Sequence, residues 1–301
     1  MKLHIKKYYY CVNNIKWGVV SKMVTNICLS DSVFTLTLEE EELIEKTLYP
    51  SAGGVLIYGP PTSGKTTMLY KTIQTSKREG FYVYTDQYYG NEPNLNMINI
   101  DRIVKMDGES LLKNLLHPDI DVFGIDEIRD EKTSDFMFRA VSLGKLAFGT
   151  IHGNDIFDVI SRLVIFGIEP NILRTHLKGM FSQRLVKKLC PFCKEQRKTS
   201  EKEKRGLEYL AEIAAFNNYD EENLYFAVGC DCCMNTGYND RQLIVEVISP
   251  VPGLIDLVLK RANRQEVKRY LADSGSILIE RSALFRIING LTSINEVMSN
   301  I

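Results

Sequence analysis

The octapeptide Gly59-Pro60-Pro61-Thr62-Ser63-Gly64-Lys65-Thr66 constrains this chain more than any other stretch. It matches the phosphate-loop pattern G-x-x-x-x-G-K-[ST] at every fixed position. Val55-Leu56-Ile57-Tyr58 before it reads as a short buried strand. From Lys65 to about Ser76 the chain reads as a helix, with Met68, Leu69, Thr72 and Ile73 on one side. Strand, glycine loop and helix aim backbone N–H groups and a helix N-terminus at one point, which favours an anion. A nucleotide is expected to rest on Gly59, Thr62, Ser63, Gly64, Lys65, Thr66 and Thr67. Lys65 would reach the β- and γ-phosphates, and the Thr66 hydroxyl would take one Mg²⁺ position. A chance match in a glycine-rich turn is the plainer alternative.

The surrounding pattern places this motif in an α/β fold. Val55–Tyr58, Tyr82–Thr85, Ile98–Val104, Val122–Ile125 and Leu146–Thr150 are strand candidates, and Lys65–Ser76, Glu109–Leu116, Thr133–Ser142 and Ile156–Phe166 are helix candidates. Such alternation predicts βαβ units and a mostly parallel sheet, with functional residues at the carboxyl ends of the strands. Four regions are expected: a short N-terminal segment over 1–50, the phosphate-loop core over 51–184, a cysteine-bearing module over 185–248 and a helical region over 249–301. Thr37-Leu38-Glu39-Glu40 begins a helix to Leu48 with a capping box.

With 301 residues, 45% of them hydrophobic, the chain can bury a large core. A formal net charge of −1 gives no global attraction to nucleic acid or an anionic membrane. No apolar run approaches the ~20 residues that span a bilayer. The expectation is a cytoplasmic protein that meets a membrane only through partners. The basic cluster Arg184, Lys187, Lys188, Lys194, Arg197 and Lys198 has acidic neighbours. It reads as a solvated face or a subunit contact, and no direct nucleic-acid binding is expected.

A nucleotide site also needs an acid at the end of a hydrophobic strand. Val122-Phe123-Gly124-Ile125-Asp126-Glu127 supplies two. Asp126 could hold Mg²⁺ through water, and Glu127 could orient or deprotonate the attacking water; a solvated turn is the alternative. Asp86 ends the strand after the phosphate-loop helix, where an acid is also ordinary turn chemistry. His152 follows the strand Leu146–Thr150 and could sense a γ-phosphate or be purely structural. Cys190-Pro191-Phe192-Cys193 and Cys230-Asp231-Cys232-Cys233 form two knuckles separated by 36 residues, around a charged insert with a helix from Ser200 to Phe216. Four thiolates suit a closed tetrahedral Zn²⁺ site; disulfides or free thiols are the other readings. Cys232 is spare.

Taken together, these stretches resemble the secretion ATPases of type II secretion and type IV pilus assembly. GPPTSGKTTMLY is similar to the family's Walker A segment. GIDEIRDEKTSDFMFRAVSLGKLAFGTIHGND looks like its Walker B and His boxes, and QRLVKKLCPFC with GCDCCMNTGYNDR like its tetracysteine segment. The resemblance implies a RecA-like core, ATP hydrolysis and a homo-hexameric ring turning against an inner-membrane platform protein. It implies catalytic roles for Lys65, Glu127, His152 and Asp86, with Arg129 and Asp130 completing the Walker B box, and zinc ligation by Cys190, Cys193, Cys230 and Cys233. The tetracysteine module favours extension over retraction. Thr62, Asp126 and Asp240 stand where the family usually has glycine, and Thr85, Gln87 and Tyr89 replace residues of its acidic box. No arginine precedes Arg78, although the family's preceding domain donates arginines to the nucleotide. Arg102 or Arg139 could substitute across the ring, a partner could supply one, or turnover could be slow. The competing functions are a nucleotide-binding assembly subunit and a zinc-containing, DNA-dependent ATPase.

Overall fold

The computed structural model describes residues 11–12, 15–16, 36–75, 80–85, 96–99, 105, 107, 110, 113, 119–216, 219, 222–249 and 252–301. Asp86, Gln87, Tyr89, Arg78 and Arg102 lie outside these residues, as does nearly all of the helix expected over Glu109–Leu116.

A helix α1 (Leu38–Leu48) leads into strand β1 (Gly53–Gly59), the phosphate loop and helix α2 (Lys65–Thr75). Strands β2 (Phe81–Thr85), β3 (Asn96–Asn99) and β4 (Val122–Ile125) follow, then α3 (Glu131–Ser142), β5 (Leu146–His152), α4 (Ile156–Ile165) and α5 (Pro170–His176). The long strand β6 (Leu177–Leu189) ends at Cys190. Beyond it come β7 (Glu195–Lys198), α6 (Glu201–Ala214), β8 (Asn223–Phe226) and β9 (Tyr238–Ile248). Four helices close the chain: α7 (Leu254–Leu259), α8 (Arg264–Asp273), α9 (Ile279–Ile288) and α10 (Ile294–Met298).

Seven strands form one sheet in the order β9-β6-β1-β5-β4-β2-β3. Six are parallel, and β9 pairs antiparallel with β6. Every residue of β1 and β4 is buried, which is why both read as unbroken apolar runs rather than as alternating ones. Helix α2 covers one face, with Met68, Leu69, Thr72 and Ile73 all buried as their spacing predicts. It approaches so closely that a Cβ on Gly124 of β4 would lie 2.4 Å from Ile73 Cδ1. Helix α3 covers the opposite face through Phe136, Met137 and Ala140.

The region boundaries drawn from sequence do not follow the packing. Residue 185 falls inside β6, and β9 completes the main sheet, so the cysteine module is an insertion between two paired strands. The insert helix α6 shares one hydrophobic cluster with α9 and α10: Leu207, Leu210 and Ala211 meet Ala283, Leu284, Ile287 and Val297. The residues over 185–248 and 249–301 therefore bury a common core. At the other end of the chain, Thr37 and Glu40 form the expected capping box. Glu40 also makes a buried ion pair with Arg286 of α9, which clamps α1 to the C-terminal helices.

Most of the basic cluster is engaged within the chain. Lys187 lies 3.5 Å from Glu296, Lys194 donates to the Gly290 carbonyl, and Arg197 bonds Glu203 while lying 3.4 Å from the Phe226 ring centre. Lys187 and Arg197 stay exposed beside these partners, as a solvated face requires.

Candidate nucleotide site and cysteine cluster

Four strand ends converge on the loop between β1 and α2. Lys65 is buried, and its Nζ donates to the Pro60 carbonyl at 2.8 Å. Burial lowers the pKa of its ammonium, while the charges of Glu127 and Asp126 hold it up. Gly64 has φ +88°, and a Cβ there would lie 2.6 Å from Gln183 Nε2, so only glycine fits both the backbone and the space.

Asp126 sits at the end of β4, 3% exposed. It accepts from Thr66 Oγ1 at 2.9 Å, Thr85 Oγ1 at 3.0 Å, Tyr70 Oη at 3.3 Å and Thr150 Oγ1 at 3.4 Å. A buried carboxylate is tolerated when donors of this kind surround it. The set also tests Mg²⁺: a hydroxyl and a carboxylate beside a phosphate loop are hard oxygen donors of the type the ion takes. Glu127, the next residue, turns away in the left-handed region at φ +82°. Its Oε2 accepts from Arg129 Nη2 at 3.1 Å, and its Oε1 lies 3.3 Å from His152 Nε2. Asp130 beyond it caps α3 by accepting from the Thr133 amide.

His152 ends β5 beside a cleft of about 410 Å³ lined by Pro60, Pro61, Asn154, Asp158 and Arg162, among others. Arg162 donates to the His152 carbonyl at 2.9 Å. Lys65, Thr66, Asp126, Glu127 and His152 are thus brought to one edge of the sheet. Gly59, Ser63 and Gly64 form the turn beneath them, with Thr67 exposed on the first turn of α2. Arg139, considered from sequence as an arginine acting across a ring, is exposed on α3 and bonds Asp135 at 2.6 Å.

Sequence reasoning missed Tyr70, Thr85, Thr150 and Gln183 as parts of this site. Gln183 is 3% exposed on β6 and donates from Nε2 to the Ser63 carbonyl at 3.0 Å. It comes from 120 residues away, so no local spacing could flag it.

Two positions expected to be glycine hold a side chain on a left-handed backbone: Thr62 at φ +62° and Asp240 at φ +72°. Asp240 lies at the register shift between β9 and β6, the kind of bulge that glycine usually fills. Asp tolerates this conformation and a β-branched residue does not. Thr62→Gly is therefore expected to raise stability by about 1 kcal/mol and Asp240→Gly to change it little. Denaturant midpoints of the two variants check this.

At the far end of β6, Cys190, Cys193, Cys230 and Cys233 place their sulfurs within 4.8 Å of one another. Three of the separations are 3.9, 3.7 and 3.7 Å. Tetrahedral thiolates around Zn²⁺ at about 2.3 Å would stand about 3.8 Å apart, so the cluster fits that ion. The amides of Gly229, Cys230 and Gly237 point at these sulfurs, as suits thiolate ligands. All four cysteines, and the exposed Cys232, are free of disulfides.

The family described as Type II/IV secretion system protein matches residues 21–299. The type IV pilus assembly ATPase TfpB of Acinetobacter baylyi is 31% identical over 250 residues, covering 82% of this chain and 42% of that protein. The type IV pilus assembly ATPase PilB of Pseudomonas aeruginosa is 29% identical over 292 residues, covering 93% of this chain and 50% of that one. The chain thus spans about half the length of the curated relatives it matches. Among solved structures, the Legionella pneumophila ATPase DotB superposes with a TM-score of 0.55 at 16% identity, over 86% of this chain and 63% of that one. The pilus retraction motor PilT, solved with bound ADP, gives 0.54 at 18% identity, over 98% and 76% of the two chains. At that identity the likeness establishes the fold alone: an α/β core of the kind these two proteins share.

Proposed function

We propose that this chain, which belongs to the type II/IV secretion system protein family, hydrolyses ATP to drive assembly of a type IV pilus or a type II secretion pseudopilus. One observation carries this: Thr66 Oγ1 lies 2.9 Å from Asp126, which sets the phosphate loop against the acid pair at the end of β4. Loop amides and Lys65 bind the β- and γ-phosphates. Thr66 and Asp126 hold Mg²⁺, which supplies charge neutralisation at the transferring phosphoryl group. Glu127 takes the proton of the attacking water, and His152, in contact with Glu127, registers whether the γ-phosphate is present.

The chain works as a homo-hexamer at the inner face of the cell membrane, held there by a platform protein. Among the described residues, no helix is long and apolar enough to cross a membrane. Cys190, Cys193, Cys230 and Cys233 hold one structural Zn²⁺, with Cys232 left over. Metal analysis is expected to find about one zinc per chain, and chelation to unfold the knuckle while the shared helical core persists.

The direct test is steady-state ATP hydrolysis by the purified chain, with a mass measurement in ATP for the ring. Lys65→Ala is expected to abolish turnover and weaken nucleotide binding. A second reading is a nucleotide-binding subunit with little turnover. Tight nucleotide binding without hydrolysis in the wild type would select it, and wild-type turnover matched by Lys65→Ala would defeat the first.

A further inference from the structure

We propose that Gln183 and Arg184, adjacent on β6, are positioning residues for hydrolysis: Gln183 holds the phosphate loop and Arg184 holds the His152 loop. This inference rests on the reading of the chain as an ATP hydrolase.

The register makes Gln183 the side chain that can do this. Ser182 is paired with Tyr58, the penultimate residue of β1. Gln183 is thus one step past the β1 ladder, where β1 leaves the sheet and enters the loop. Its amide donates to the Ser63 carbonyl at 3.0 Å and fills the space that a Cβ on Gly64 would need. Gln183 Oε1 and Ser63 Oγ are both buried with no hydrogen-bond partner among the described residues. The strand and the loop are therefore in close contact here, as the 3.0 Å bond requires.

Successive side chains on a strand face opposite ways, so Arg184 reaches a different loop. Its Nη2 donates to the Asn154 carbonyl at 3.3 Å, two residues beyond His152. Its Nη1 donates to the Asn300 carbonyl. The guanidinium thus bridges the His152 loop and the segment after α10. Its rigid fork gives each side its own nitrogen, whereas an ammonium offers one nitrogen to both. From the other direction Arg162 holds the His152 carbonyl, so the loop is pinned from two elements. Strand β6 then runs on to Cys190, giving the cysteine module a rigid connection to both nucleotide-facing loops.

The two residues should act on different kinetic quantities. The phosphate loop meets the nucleotide in the ground state, whereas the His152 loop bears on Glu127 during hydrolysis. Loss of the first contact raises KM, and loss of the second lowers kcat.

The experiment is MgATP titration of hydrolysis by the full chain and its variants, with thermal unfolding recorded for each. Gln183→Leu is expected to raise KM about tenfold with kcat within about twofold of wild type. Arg184→Gln is expected to lower kcat about tenfold at nearly constant KM, and Arg184→Lys to resemble it. Should Gln183→Leu fail to fold, Gln183→Glu keeps the shape, removes the donor and is expected to raise KM likewise. Parallel changes in kcat and KM, or no change in either, would overturn the proposal. If the wild type does not turn over, the hydrolysis reading falls and the Arg184 half falls with it. Affinity of Gln183→Leu for a fluorescent ATP analogue then decides the Gln183 half.

Discussion

Glu127→Gln is expected to lower ATP turnover by about 10²–10⁴ while nucleotide affinity stays near that of the wild type. The substitution keeps the side chain's shape and removes only its charge and basicity. Among the described residues, Glu127 bonds Arg129 and faces His152, with no hydrogen bond to the phosphate loop. The amide can still accept from Arg129, so the local geometry survives. The backbone at φ +82° also matters, because it swings the carboxylate away from the buried position that Asp126 occupies. A left-handed non-glycine residue is uncommon and clusters at functional sites. Asp126→Asn should differ in kind. It would remove charge from the residue against Thr66 and weaken Mg²⁺-dependent binding. Rates for Glu127→Gln within about twofold of wild type would remove Glu127 from the mechanism.

The second large effect concerns stability. Breaking the Glu40–Arg286 pair from one side is expected to cost about 3–5 kcal/mol. Arg286 is 0% exposed, and its guanidinium bonds both Glu40 oxygens, the Leu243 carbonyl and Ser282. Glu40 also accepts from the Thr37 amide at 2.8 Å, so one carboxylate caps α1 and neutralises a buried arginine. Glu40→Gln keeps the cap and strands the charge. Arg286→Met strands the carboxylate and opens the packing between α9 and β9. The paired change Glu40→Leu with Arg286→Met should recover much of the loss, since a hydrophobic pair of similar volume can replace a buried ion pair. Denaturant unfolding of the wild type, Glu40→Leu, Arg286→Met and the paired variant measures this as a double-mutant cycle. Single variants within about 1 kcal/mol of wild type would show that water reaches the pair.

The features legible in the sequence were those with a short repeat or a fixed local spacing. The phosphate loop, the capping box at Thr37 and the four cysteines are of this kind, as are the apolar runs of β1, β4 and β5. Each encodes turn chemistry, a strand's burial or a ligand spacing within a few residues. Sequence also identified the two glycine-replacing positions, but not that both backbones remain left-handed there. That outcome depends on the loop and the bulge being held by their surroundings.

The amino-acid sequence alone determined which reactive residues stand near one another along the chain: a glycine-rich turn between strand and helix, two acids at a strand end and four thiols at metal spacing. Tertiary structure alone decided what steadies those residues. It brought Gln183 to Ser63 across 120 residues and Glu40 to Arg286 across 246. It also drew the cysteine module and the C-terminal helices into one core. The physical reason is that hydrophobic periodicity and turn preferences act between near neighbours. Which strand lies beside β1, and so which side chains reach the loop, is settled only when distant apolar faces find a common way to leave water.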